Sequence, residues 1–214
     1  MGKQEMMAQE RRSVAAIILA AGRSSRMGSH KLLLPYKGRP IVNWVLAAAC
    51  ASQADPIIIV LGHEAQQVDA ALRAERWFLA IHNPWYVDGM STSLKIGLAA
   101  TPKDVEGAII LLGDQPLITE EIINAMVAES ARDPDAIIAA SYQGRRGNPV
   151  LFPRQYFAEL ETITGDEGGR SVLARHPQQV RLVEINDALA GVDVDTPEEY
   201  QALLSEQTLD SDHD

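Results

Sequence analysis

An uninterrupted apolar run from Val14 to Ala21 constrains the fold of this chain more than any other feature of its sequence. The run contains β-branched residues and no alternation of polar with apolar positions, which is typical of a strand buried on both faces of a parallel sheet. Such a strand needs helices above and below it. Segments of strand and helix character alternate through the first 140 residues. The sequence therefore predicts βαβ units and a parallel sheet with helices on both faces.

The predicted elements follow that alternation. Besides residues 14–21, the predicted strands are 57–61, 78–81, 108–112, 136–141, 149–152 and 180–185. The predicted helices are 41–51, 64–76, 91–100, 119–131, 154–161, a short one ending at 175 and a closing one ending near 204. No repeat or long linker divides the chain, so we expect one domain over residues 14–205, with flexible tails at 1–13 and 206–214.

The loop after the first strand is suited to holding phosphate groups. It contains Gly22 and Gly28, whose backbones can adopt angles closed to other residues and can approach oxygen closely. It also contains the cations Arg23, Arg26 and Lys31, in a chain whose net charge is −10. The loop lacks both the glycine-lysine-serine/threonine sequence of the Walker motif and the three glycines of the dinucleotide fingerprint.

A second site feature is Asp114, which follows the apolar run of the strand 108–112. A carboxylate at the end of a buried strand is costly unless a cation or hydrogen bonds stabilise it. It could cap the helix that follows, or it could bind a divalent cation together with phosphate oxygens. The carboxyl ends of parallel strands meet at one edge of a sheet, so we expect Asp114 beside the glycine loop and favour the metal.

The composition of the chain indicates which cellular compartment and which classes of partner suit it. The acidic balance argues against a nucleic-acid or anionic-membrane partner. The single cysteine, Cys50, cannot form an internal disulfide and is read as core packing, which suits a reducing compartment. The sequence has no apolar run of the roughly 18 residues that would span a membrane, and its start has no signal-peptide pattern. A cytoplasmic location is expected.

Residues 19–35 fit the pattern L-A-A-G-x-S-x-R-M-G-x-x-K-L-L-L-P, which resembles the signature of the nucleotidyltransferase superfamily that includes the molybdenum cofactor transferases. The later segments GDQPLI, GRRGNPVLF, TGDEGGR and VDVDTPEE resemble successive blocks of the molybdenum cofactor cytidylyltransferase group, in the same order and spacing. The resemblance covers residues 15 to about 200. It implies a three-layer α/β/α fold with a mostly parallel, mixed sheet, and transfer of CMP from CTP to molybdopterin or the molybdenum cofactor with release of pyrophosphate.

The resemblance also implies roles for individual residues. Arg26 and Lys31 would grip the phosphates, Asp114 would hold Mg²⁺, or Mn²⁺ in its place, and Asp193 would be a second metal ligand. The nucleotide would be cradled by Leu19, Ala20, Ala21 and Gly22, and the Ser93 hydroxyl would contact the ribose or base. Three later arginines in glycine-rich turns are either solvated surface charges or binders of the pterin phosphate: Arg145, Arg146 and Arg170.

Two departures from the guanylyl relatives favour cytidylyl transfer: Ala21 stands where those relatives have a second glycine, and the spacing from Gly28 to Lys31 is short. A guanylyl or other small-phosphate nucleotidyltransferase remains an alternative. So does a non-catalytic carrier that delivers the cofactor to a molybdoenzyme. An NAD-dependent oxidoreductase is disfavoured by the missing fingerprint. Ser91 to Ser93 either cap their helix or mark a helix start that receives a ligand hydroxyl or phosphate.

Overall fold

The structure, a computed structural model, describes residues 12–24, 27 and 30–210. Its centre is a seven-stranded sheet with the strand order β5-β4-β1-β6-β8-β7-β9. The strands of this sheet are β1 (Val14–Ala20), β4 (Ile57–Leu61), β5 (Leu79–His82), β6 (Gly107–Leu112), β7 (Ile137–Tyr142), β8 (Arg145–Pro153) and β9 (Val180–Ile185). Strands β2 (Pro35–Tyr36) and β3 (Arg39–Pro40) form a separate small ribbon.

The sheet is mixed but mostly parallel. Strand β1 pairs in parallel with β4 and β6, β4 with β5, and β7 with β9. Strand β8 runs antiparallel to both of its neighbours, β6 and β7. Every residue of β1 is buried, as its continuous apolar run predicts.

Helices cover both faces of the sheet. They are α1 (Ile41–Ala51), α2 (Ala65–Ala71), α3 (Met90–Ala99), α4 (Glu120–Arg132), α5 (Phe157–Leu160), α6 (Arg170–Arg175) and α7 (Pro197–Asp210). One core cluster joins α1, α2 and α4 to one face, and a second joins α3, α5 and α6 to the other. The predicted three-layer α/β fold with a mostly parallel, mixed sheet is confirmed.

Helix α2 ends earlier than the sequence predicts, at Ala71 instead of near Arg76. The buried side chain of Asn43, on α1, stops it. Its amide donates to the carbonyl of Ala71 over 2.9 Å and accepts from the backbone N–H of Arg73 over 3.0 Å. A helix can end where another element satisfies its last carbonyls, and neither local propensity nor periodicity shows such a partner.

The connection between β7 and β8 is also tighter than predicted. Gln143 and Gly144 form a two-residue turn in which both have positive φ, 52° and 74°. This conformation matches the twist of a two-residue hairpin. As a result, Arg145 and Arg146, predicted to lie in the turn, are instead the first residues of β8. At the other end of the chain, α7 continues past its predicted end near residue 204.

Candidate functional site

A cleft of about 490 Å³ opens at the carboxyl ends of β1 and β6. One wall is the chain that leaves β1, residues 19–22. The edge of β6 closes against this wall because Gly113 donates its N–H to the carbonyl of Leu19 over 2.9 Å. A Cβ on Gly113 would lie 3.2 Å from both Ala20 Cβ and the Leu19 carbonyl oxygen, so a larger residue would push the two strand ends apart. This contact brings Asp114 beside the loop, as the sequence predicts.

The loop after β1 achieves its turn differently from the expectation. Gly22 does not adopt positive φ, whereas Ser24 does, with φ of 53°. The Ser24 hydroxyl accepts the backbone N–H of Lys31 over 3.2 Å, and its carbonyl accepts that of Met27 over 3.0 Å. Gly22 is exposed, with open space where a Cβ would stand, so its backbone is accessible from the cleft. Gly28, with the predicted phosphate ligand Arg26, lies outside the described residues.

Lys31 is the charged centre of the cleft. Its side chain is about 10% exposed, and its ammonium donates to Asp114 Oδ2 and, over 2.7 Å, to Asp195 Oδ1. Burial lowers the pKa of Lys31, but the two carboxylates more than offset this, so its pKa is raised and the amine stays protonated. The third N–H of the ammonium remains available for another acceptor.

Asp193 stands beside this cluster on the segment that precedes α7. Its Oδ1 accepts from Gln115 Nε2 over 2.8 Å, and the backbone N–H of Val194 donates to the carbonyl of Asp114 over 3.1 Å. Burial, together with the nearby charges of Asp114 and Asp195, raises the pKa of Asp193 to about 6. Its ionised form is therefore under-compensated by the protein alone.

The carboxylates fit a divalent cation. Asp114 Oδ1 is buried and has no hydrogen-bond partner among the described residues. Asp114 and Asp193 are two hard oxygen donors with excess negative charge between them. The described residues contain no group of three or more potential ligands gathered for a metal. A site with one or two carboxylates, completed by water and substrate oxygens, is the kind that Mg²⁺ favours.

A segment from late in the chain, residues 165–169, covers the start of α3. Asp166 Oδ1 accepts the N–H of Met90 over 3.0 Å, and the carbonyl of Gly165 accepts that of Ser91 over 3.0 Å. Protein groups therefore already satisfy N–H donors at this helix start, one of them with a carboxylate. This weakens the expectation that the α3 start receives a phosphate.

The geometry of this cleft agrees with comparisons to known proteins. The profile of the MobA-like NTP transferase domain matches residues 16–180, more than half of the chain. The chain belongs to the MobA-like NTP transferase family. It is thus a nucleotidyltransferase of that family, which confirms the resemblance drawn from the motifs.

Relatives of this MobA-like transferase carry different names. It is 33% identical to the purine catabolism protein PucB of Bacillus subtilis, over 87% of this chain and 94% of the relative. It is 31% identical to nicotine blue oxidoreductase of Paenarthrobacter nicotinovorans, over 89% and 96%. It is 28% identical to the molybdenum cofactor cytidylyltransferase of Escherichia coli, over 88% and 94%. The family is therefore established, and the reaction within it is not fixed by these names.

Solved structures support the same fold. The protein Rv0371c of Mycobacterium tuberculosis matches with a TM-score of 0.80 and 28% identity, covering 91% of this chain and 98% of that one. A structure of Rv0371c in complex with manganese matches with a TM-score of 0.75 and 26% identity, over 91% and 98%.

The helices of this MobA-like transferase were also compared with the requirements of a membrane span. Among the described residues, none has both the length and the apolar character that crossing a membrane requires.

The structure separates the three late arginines. Arg170, the first residue of α6, lines the cleft. Arg145 and Arg146 are exposed on β8, and neither is among the described residues that line the cleft. The structure therefore places Arg170 at the cleft and does not bring Arg145 and Arg146 to it. Arg23, one of the three cations predicted in the loop, also lines the cleft and lies 5.7 Å from the ring centre of Tyr86.

Asp195 is a site residue to which the sequence analysis assigns no role. Thr196 and Glu199 cap α7, since the Glu199 carboxylate accepts the N–H groups of Asp195 and Thr196, each over 2.8 Å. The signal was present in the spacing. Residues two apart project to the same side of an extended chain, and here Asp193 and Asp195 both line the cleft while Val194 between them is buried.

Gly89 fixes the contact between α3 and the covering segment, and we predict that Gly89→Ala destabilises the fold. Its φ of 105° is strained for alanine, and a Cβ there would lie 2.4 Å from the carbonyl carbon of Gly165. We expect the free energy of unfolding to fall by about 1–3 kcal/mol from strain alone, with the overlap adding to it. Denaturant unfolding measures this.

Gly144→Ala is the matched control for that prediction. Gly144 also has positive φ, 74°, but a Cβ there meets nothing within 4 Å. It should cost only the conformational strain, roughly 1–2 kcal/mol. Equal losses for the two variants would show that the Gly89–Gly165 contact does not constrain the segment.

Proposed function

We propose that this protein transfers CMP from CTP to molybdopterin or the molybdenum cofactor, with release of pyrophosphate and with Mg²⁺, or Mn²⁺ in its place, as the cofactor. The observation that carries the proposal is the Lys31 ammonium held by Asp114 and Asp195 in a cleft walled by the main chain of residues 19–22. A triphosphate with its metal ion requires a cation and accessible backbone for the phosphates, and carboxylates for the metal ion. The cleft provides all three.

The reaction needs positioning and charge neutralisation more than covalent chemistry. A phosphate oxygen of the acceptor attacks the α-phosphorus of CTP and forms a new P–O bond. The bond from the α-phosphorus to the bridging oxygen breaks, and its electron pair leaves with pyrophosphate. No general base is required, because a phosphate monoester has its second pKa at about 6 and is largely dianionic near neutral pH.

Lys31 suits the part of a charge-stabilising donor. Its amine stays protonated in the cleft, and one N–H can donate to a triphosphate oxygen while two donate to carboxylates. Because it is already held in place, it loses little freedom when charge grows on the leaving group. Asp114 and Asp193 would hold the divalent cation, which when bound neutralises phosphate oxygens.

Base choice rests on Ala21 and the short spacing to Lys31, and on the relationship to the Escherichia coli cytidylyltransferase. We predict that kcat/KM for CTP exceeds that for GTP by on the order of a hundredfold or more, because a site that hydrogen-bonds one base leaves groups unpaired with another. Pyrophosphate release from each of the four nucleoside triphosphates, with Mg²⁺ and molybdopterin, measures it. Equal use of CTP and GTP would contradict the cytidylyl assignment and favour the broader alternative of another nucleotidyltransferase.

A further inference from the structure

The clearest unexplained polar arrangement beside the cleft is centred on Asn83, which follows β5 and is fully buried. Its Oδ1 accepts the backbone N–H of Trp85 over 2.9 Å, so the oxygen of the amide must face that way. Its Nδ2 donates to Thr92 Oγ1 over 2.8 Å and to Ser93 Oγ over 2.9 Å. Both amide hydrogens are thereby used on the two hydroxyls of α3.

The two hydroxyls differ in where their own protons go. Thr92 Oγ1 can donate to the carbonyl of Gly89, 2.8 Å away, or to that of Trp85, 3.1 Å away. Ser93 lines the cleft and is 3% exposed. The side-chain hydrogen bond at its Oγ is the one that it accepts from Asn83, so within the described residues its own proton has no acceptor. Since Asn83 already donates to the Ser93 oxygen, the proton is directed away from Asn83 and towards the cleft.

The surroundings of Ser93 suit a flat ring. Leu94, Ile110, Phe152 and Leu173 line the cleft and belong to the core cluster beneath α3. One set of charges in the cleft surrounds Lys31, and a second set, Asp166, Glu167 and Arg170, lies on the covering segment and the start of α6. Pockets of this kind hold a ring between apolar walls and orient it with a few polar groups.

We propose that Asn83 is a positioning residue that fixes Ser93 as a hydrogen-bond donor, and that Ser93 donates to an acceptor atom on the nucleobase. This inference rests on the proposed nucleotide chemistry of the site. It adds that Ser93 is the donor and the base the acceptor of the hydrogen bond between them. A carbonyl oxygen or unprotonated ring nitrogen of a base cannot donate, so it matches Ser93 in this orientation alone. A ribose hydroxyl can donate or accept and would tolerate either orientation.

Asn83→Asp reverses this polarity with little change of shape. The new carboxylate keeps an acceptor for Trp85 and replaces the Nδ2 donor by an acceptor, so the Ser93 proton turns towards residue 83 and its lone pairs face the cleft. An acceptor atom of the base would then face the lone pairs of the Ser93 oxygen, and no hydrogen bond could form between them. We expect the Kd for CTP to rise by roughly ten- to a hundredfold, the effect of leaving a buried group unpaired.

The test is a double-mutant cycle of Asn83→Asp and Ser93→Ala, in the full chain with Mg²⁺ and without molybdopterin, read by calorimetric titration with CTP. In the Ser93→Ala background, adding Asn83→Asp should raise the Kd for CTP by less than about threefold, because residue 83 then has no hydroxyl at position 93 to orient. Titration with Mg²⁺-tripolyphosphate, which has no base, is the control for the added negative charge. Its Kd should change little among the unmutated protein, the two single variants and the double variant. Thermal unfolding checks folding. If Asn83→Asp does not fold, the cycle is run with Asn83→Ala, for which we expect a smaller coupling of the same sign.

Two results would overturn the inference. Equal weakening by Asn83→Asp with and without Ser93 would show that Asn83 acts through charge or structure and not through the hydroxyl. Unchanged CTP affinity in Asn83→Asp, with a loss in Ser93→Ala, would place an adaptable ribose hydroxyl against Ser93. CTP binding without transfer to molybdopterin would contradict the proposed function and leave this cycle valid. Failure of the unmutated protein to bind CTP would contradict both.

Discussion

Asp114→Asn is expected to lower kcat for Mg²⁺-dependent pyrophosphate release by about a hundred- to a thousandfold or more, the scale of losing one fixed charge-stabilising group. The asparagine keeps an oxygen that can accept from Lys31, so the packing at the end of β6 is retained. It removes the negative charge and with it the hard, buried Oδ1 that has no protein partner in the described structure. Folding should therefore be intact, as thermal unfolding would show.

Asp55→Asn is the matched control for this variant. Asp55 precedes β4, its side chain is 74% exposed, and it pairs with Arg76 over 2.7 Å. The same chemical change at this position should leave turnover unaltered. If Asp114→Asn turns over as fast as the unmutated protein, Asp114 is not a metal ligand.

Lys31→Ala should lower kcat/KM for CTP by about 2–4 kcal/mol of transition-state stabilisation, which is roughly a 30- to 1,000-fold loss. The lysine is buried between Asp114 and Asp195, so its removal also leaves these carboxylates without a compensating ammonium. In the Lys31→Ala variant, the nucleoside triphosphate therefore enters a more negative cleft. Steady-state kinetics over a range of CTP concentrations measures the loss.

Lys103→Ala is the control, since Lys103 is exposed in the connection between α3 and β6. We expect its kinetics to match those of the unmutated protein. Molybdopterin binding without nucleotide, followed by fluorescence, should change little in Lys31→Ala if the acceptor lies towards Arg170. Normal turnover in Lys31→Ala would remove the proposed role of the ammonium.

The sheet and its order of elements follow from local patterns in the sequence. Strand β4 and strand β9 begin and end at their predicted residues, and β1 differs at one end by a single residue. Their boundaries are set by apolar composition and by neighbouring turns, which are visible locally. The end of α2 is different, because Asn43 on another element determines it.

The candidate site divides in the same way. That Asp114 lies beside the β1 loop is predictable, because the carboxyl ends of parallel strands share an edge. The contact of Lys31 with Asp195 is not, since the two residues are 164 positions apart and meet only when the segment before α7 folds over β6. The same holds for Asp166 on the start of α3. Contacts between distant loops depend on the whole fold and leave weak local signals.

The names of the relatives, which include a purine catabolism protein and an oxidoreductase, make product identity the decisive question. The most direct test incubates the purified protein with Mg²⁺, molybdopterin and CTP labelled at the α-phosphorus, and follows the label and the pyrophosphate together. We predict that the label moves onto the pterin phosphate, with one pyrophosphate released for each label transferred. A carrier would bind the pterin tightly yet release no pyrophosphate with any of the four nucleotides, and that result would contradict the account.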